Sequence, residues 1–254
     1  MQMRENEVRL KTIQLALLLP LLIALLALGG SIAMAQTIPF DSAAVINRGN
    51  EKYARAEYET AIEEYRHISR DAGKNYSVSL YNTGVCYYEL SRTEEAIDFY
   101  RRAVAARQGN YPQALYALGV ALEDLGRLEE AKEAYKFAID TSHCTHAAAT
   151  FRLGILMAKE RDYKTAATLF RKAIARSSDQ LPASHNNLGV MLAKMGQLKE
   201  AEGEFESALR QSKGAMDEAA HNLKMCRSLL ATTTRSQLAS LRIIETTATM
   251  IYSR

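Results

Sequence analysis

The sequence lacks the short signatures that mark most enzymes. It has no Gly-rich phosphate loop, no G-x-S-x-G nucleophile elbow and no H-E-x-x-H zinc motif, so nothing in it calls for catalysis or for a cofactor. Charge of one sign is lacking too: 32 basic and 29 acidic residues are interspersed, for a net charge of +3. Without a like-charge block or a basic stripe interleaved with aromatics, nucleic acid is not an expected partner. Cysteine occurs only three times, at Cys86, Cys144 and Cys226, and proline four times.

What is present is a period. Gly49, Gly84, Gly119, Gly154 and Gly189 follow one another at intervals of 35 residues. An alanine stands 12 residues after each glycine (Ala61, Ala96, Ala131, Ala166, Ala201) and an aromatic 16 after (Tyr65, Tyr100, Tyr135, Phe170, Phe205). Self-similarity at a fixed period of roughly 20–50 residues marks a solenoid, whose units bury their apolar faces against their neighbours. Stacked units also hold the three cysteines apart, and a disulfide needs Cα atoms within roughly 7 Å, so three unpaired thiols are expected.

Between each glycine and its alanine sits a turn: Ala56-Glu57, Ser91-Arg92, Leu125-Gly126-Arg127, Glu160-Arg161-Asp162 and Met195-Gly196-Gln197. Apolar residues recur at helical spacing on both sides, as Leu115, Leu118 and Leu122 and then Leu128, Ala131, Tyr135 and Ala138 do in the third unit. Each unit is therefore two helices, each too short to be stable alone. The small glycine and alanine let the two backbones approach, and the aromatic is expected to wedge between neighbouring units. Acidic pairs such as Glu94-Glu95 and Glu129-Glu130 fall at the start of the second helix, where the helix dipole favours them.

In these residues the chain resembles the tetratricopeptide repeat, a 34-residue helix–turn–helix unit. The third unit matches at Leu115, Leu118, Gly119, Leu122, Gly126, Leu128, Ala131, Tyr135 and Ala138. The resemblance implies an all-α, right-handed superhelical arc of five repeats, at about 42–76, 77–111, 112–146, 147–181 and 182–216, within residues 36–216. Two departures stand out. The period is one residue longer, and the proline that usually closes each unit is missing, while Pro112 and Pro182 instead start the third and fifth units. His221-Asn222-Leu223 repeats Asn186-Asn187-Leu188, but Lys224 replaces the glycine, so residues 217–232 read as a capping helix. Beyond it, Leu238, Leu241, Ile244, Ala248 and Ile251 recur at helical spacing, which makes 233–254 a tail with a helical pattern that either packs on the cap or docks elsewhere, including on a second copy.

The N-terminus supplies an address. Arg4, Arg9 and Lys11 precede an uncharged run from Thr12 to Phe40, interrupted by Gly29 and Gly30 and followed by Ala33-Met34-Ala35. A basic start, an apolar core and an A-x-A end describe a secretory signal peptide over residues 1–35. An uncleaved membrane anchor is the rival, since the run is long enough to cross a bilayer. Either way the repeats are expected outside the cytoplasm, in a bacterial periplasm or envelope, with membrane contact only through this segment.

In the family named above, the first helix of each unit lines a concave groove through the residue three before the glycine and the one just after it. Here these are Ile46 and Asn50, Tyr81 and Val85, Tyr116 and Val120, Phe151 and Ile155, and Asn186 and Val190. Tyr53 and Tyr88 extend the ridge, and Tyr81, Tyr116 and Phe151 form an aromatic stripe suited to an extended peptide or an amphipathic helix. The family's cationic clamp for chaperone tails maps to Ile46, Asn50, Asn82, Gln113 and Ala117; the asparagines are there and every positive charge is missing. Such tails are therefore not the expected ligand. His143, Cys144 and His146 cluster between units three and four, but no fourth ligand lies nearby, so a polar turn is expected there rather than a metal site. The sequence thus predicts a scaffold that binds a protein or peptide and assists an envelope complex. The alternative is a membrane-tethered, self-associating spacer.

Overall fold

A computed structural model describes residues 40–142, 146–177, 181–231 and 241–245. The chain divides into two units, Met1–Asp41 and Ser42–Arg254. The signal-peptide or anchor segment of the first, residues 1–35, lies outside the described residues.

The described part of the second unit is helical apart from its turns and residues 241–245. Its helices are α1 (Ser42–Ala54), α2 (Tyr58–Arg66), α3 (Lys74–Glu89), α4 (Thr93–Ala106), α5 (Pro112–Asp124), α6 (Leu128–Thr141), α7 (Ala147–Lys159), α8 (Tyr163–Arg176), α9 (Pro182–Lys194), α10 (Leu198–Gln211) and α11 (Asp217–Ala231). They pair as five helical hairpins, α1/α2 to α9/α10, with α11 as the cap. Each helix packs on the next, and α1 also meets α3, α3 meets α5 and α9 meets α11. This is the layered order of a tetratricopeptide-type solenoid.

The repeated glycines are empty for a packing reason. A methyl group on Gly84 would stand 2.7 Å from the Tyr100 ring, and one on Gly189 would stand 2.6 Å from Phe205. All five glycines meet the aromatic of their own unit in this way. The ring therefore seals the two helices of one hairpin and also reaches the next unit, as Tyr65 does beside Tyr81, Asn82 and Val85. The five repeated alanines are fully buried.

The hairpin turns explain why the second helix starts where it does. Ala56, Ser91, Gly126, Arg161 and Gly196, again 35 apart, all have positive φ. At each, a Schellman pair closes the first helix: Ser91 N–H donates to the Tyr88 carbonyl and Arg92 N–H to the Tyr87 carbonyl. The following helix is capped by the Asp162 side chain in unit four, which accepts from Thr165 N–H at 3.1 Å. Pro112 and Pro182 stand at the first turn of α5 and α9, where a missing N–H costs nothing.

Candidate functional site

The first helices α1, α3, α5, α7 and α9 bring the expected groove residues into one row, but with very different access. Asn50 is exposed, and Tyr53, Tyr81, Asn82 and Tyr88 are half-buried. Ile46, Val85, Tyr116 and Val120 are buried, while Phe151, Ile155, Asn186 and Val190 are sealed almost completely. Access thus closes progressively from unit one to unit five. The expectation of an aromatic stripe open along three units is corrected. Tyr116 lies 6.0 Å from the Tyr135 ring and 5.1 Å from His146, and Phe151 lies 5.7 Å from Phe170, so both are core residues.

At the open end, Asn50, Tyr53, Ala54, Tyr65, Tyr81, Asn82 and Val85 surround a cavity of about 680 Å³. Its floor is polar and pre-arranged. The Asn50 side-chain oxygen accepts from Tyr65 Oη at 2.7 Å and from Asn82 Nδ2 at 2.9 Å, which ties units one and two together. Tyr53 donates to Glu89 at 3.3 Å, and Tyr88 donates to Asp124, so each of these phenols braces its unit against the next. Burial, helped by the adjoining carboxylates, pushes both phenols well above their ordinary value, so they remain donors. Burial, helped by the neighbouring Tyr111 and Tyr116, pushes Tyr81 up to about 12. In the middle of the row Arg152 and Glu123, both largely buried, stand 3.6 Å apart, and Tyr135 donates to the same carboxylate at 2.9 Å.

The closed end holds part of the chain itself. Residues 241–245 are extended, where the sequence pattern suggested a helix. Arg242 N–H donates to Asn222 Oδ1 at 2.8 Å, and the Arg242 carbonyl accepts from Asn222 Nδ2 at 2.8 Å and Asn186 Nδ2 at 3.1 Å. Ile244 repeats the pattern two residues on: its N–H donates to Asn187 Oδ1 at 2.8 Å and its carbonyl accepts from Asn187 Nδ2 at 2.7 Å. Leu241 joins the apolar cluster that contains Phe151, Ile155 and Val190, with Ile243 and Ile244 packed against it. Glu245 pairs with Lys159 at 3.1 Å.

Asn187, Asn222 and Arg152 were not among the expected site residues, although a signal existed. The position two before each glycine reads Asn47, Asn82, Ala117, Arg152 and Asn187, and the cap adds Asn222 at the same interval. Of the carboxamides at this position, Asn187 and Asn222 bond to backbone, whereas Asn82 donates to the Asn50 side chain.

The histidine–cysteine turn does not assemble a site among the described residues. His143 and Cys144 lie outside them, and no group of three or more His, Cys, Asp or Glu among them is placed to hold a metal. His146 caps α7, its Nδ1 accepting from Ala149 N–H at 3.2 Å, and burial holds its pKa below the ordinary value. Cys86 and Cys226 are buried free thiols, and burial pushes Cys86 up to about 12, which leaves it unreactive.

A family model for the tetratricopeptide repeat matches residues 46–113, 116–182 and 151–216. Among solved structures, MamA superposes with a TM-score of 0.57 at 20% identity, over 68% of this chain and 92% of MamA. YrrB, a TPR protein with an unusual peptide-binding site, gives 0.55 at 20% identity, over 72% and 88%. The C-terminal part of a TPR repeat-containing protein from Cytophaga hutchinsonii gives 0.61 at 17% identity, over 76% and 74%. No curated protein matches. At these identities the structural likeness establishes the fold.

Proposed function

The chain belongs to the tetratricopeptide repeat family, and from that premise we propose that it is a non-enzymatic scaffold that holds a protein or peptide partner in the groove of its first helices. The carrying observation is the open cavity between units one and two, about 680 Å³ and lined by tyrosines and asparagines. Rigid aromatic walls bury large areas at small entropic cost, while the asparagines offer both donors and acceptors to a backbone. The peptide-binding site of YrrB, which shares this fold, supports the same use. The basic, apolar and A-x-A segments of residues 1–35 point to an exported protein, so the partner belongs to a cell-envelope assembly.

The test is quantitative capture from an envelope extract with wild type and Asn82→Arg. Asn82 is half-exposed, so the longer side chain fills the cavity without entering the core. A partner held by wild type and reduced at least tenfold by the variant is the expected result, a difference of about 1.4 kcal/mol or more. Equal capture by both proteins would place binding elsewhere.

A further inference from the structure

The closed end of the groove shows how it reads what it holds. Arg242 and Ile244 each present an N–H and a carbonyl to one carboxamide, and residues two apart on a strand turn these groups to the same edge. The three asparagines therefore act as the edge of a neighbouring strand. They recognise main chain and are indifferent to side-chain identity. Selection comes from the surroundings: Leu241, Ile243 and Ile244 pack on the apolar cluster, and Glu245 meets Lys159. The segment runs from α11 past α9 to α7, towards Arg152 and, further along the same row, Asn82.

The three carboxamides are fully buried and mutually bonded. Asn222 Nδ2 donates to Asn186 Oδ1 at 2.8 Å, and Asn186 Nδ2 to Asn187 Oδ1 at 3.2 Å. Yet nothing covalent holds residues 241–245 there, and any extended aliphatic segment offers the same backbone groups. Nine residues, 232–240, separate α11 from Leu241, a tether of at most about 36 Å. A short tether gives the chain's own segment an effective concentration on the order of millimolar against any competitor.

We propose that residues 241–245 are a resident, displaceable ligand of a backbone-reading clamp formed by Asn186, Asn187 and Asn222. This end of the groove then opens only to an extended, aliphatic-rich segment that competes for the same carboxamides. The inference rests on the groove function only for the existence of that competitor. The seat of the tail is independent of it and is tested at the other end of the groove from Asn82.

The experiment uses the full chain with Arg242→Pro and Ile244→Pro together, which removes the two N–H donors without altering any helix. A fluorescent peptide of residues 239–248 is titrated into wild type and this variant. The peptide is expected to bind the variant at least tenfold more tightly than wild type, and to lose that binding when Asn187→Ala and Asn222→Ala are added. Equal affinity for both proteins, or no binding to the proline variant, overturns the proposal. So does a wild-type dimer that the proline variant converts to monomer, since the segment would then be exchanged between copies. Amide exchange of the unmodified chain gives a second readout: slowed exchange at Arg242 and Ile244 is expected, and free exchange contradicts the clamp.

Discussion

Gly84 is bare because Tyr100, fully packed itself, occupies the space where a side chain would start, with the Ala96 carbonyl 3.3 Å away behind it. Gly84→Ala gains about 1 kcal/mol of helix propensity and meets overpacking of about 1–3 kcal/mol, so a net loss of up to about 2 kcal/mol is expected in urea denaturation. The glycine, alanine and aromatic positions were legible as a period. That the ring covers its own unit's glycine was not, because spacing alone does not say which neighbour a ring turns towards. His146 gives a second prediction at this scale. Its Nδ1 must stay unprotonated to cap α7, and burial holds its pKa below the ordinary 6.5. The unfolded chain therefore takes up the proton first. Stability from the neutral ring is complete above pH 6.5 and is lost as pH falls below it towards the folded-state value. His146→Asn keeps a capping acceptor and does not titrate, so wild type should lose more stability than the variant between pH 7.5 and 5. Parallel losses in denaturation at the two pH values would remove this role.

At the scale of the element, the five hairpin turns share one left-handed position, filled by glycine at Gly126 and Gly196 but by Ala56, Ser91 and Arg161 in the other units. A side chain there costs about 1–2 kcal/mol, of which glycine's greater freedom in the unfolded chain takes back about 0.5–1 kcal/mol. Ser91→Gly should thus raise stability by about 0.5–1 kcal/mol, read as a higher urea midpoint with unchanged slope; a fall would show that Ser91 makes a contact worth more than its strain. The turns and helices were legible because glycine punctuation and the 3.6-residue period agree. The tail was legible only as a set of aliphatic residues. Leu241 and Ile244 fit a helical stripe, but adjacent β-branched Ile243 and Ile244 favour an extended chain once paired backbone groups are available. Those groups come from Asn222, 20 residues away, and from Asn186 and Asn187, 56 and 57 residues away from their partners, contacts no local pattern encodes.

Across the array, access to the groove is graded, open at Asn50 and Asn82 and closed at Asn186 and Val190. The row of candidate residues was legible from the family resemblance, but the grading was not, since each residue's exposure depends on what packs over it. Tyr116 and Phe151 look on paper like Tyr81 and are core instead. The central claim is that the row of first helices is the binding surface. Amide hydrogen exchange of the full chain, alone and with the captured partner, tests it most directly. Added protection confined to the turns of α1 and α3 that carry Asn50, Asn82 and Val85 is the predicted result. Protection appearing instead on the outer faces of α2, α4 and α6 would contradict the account.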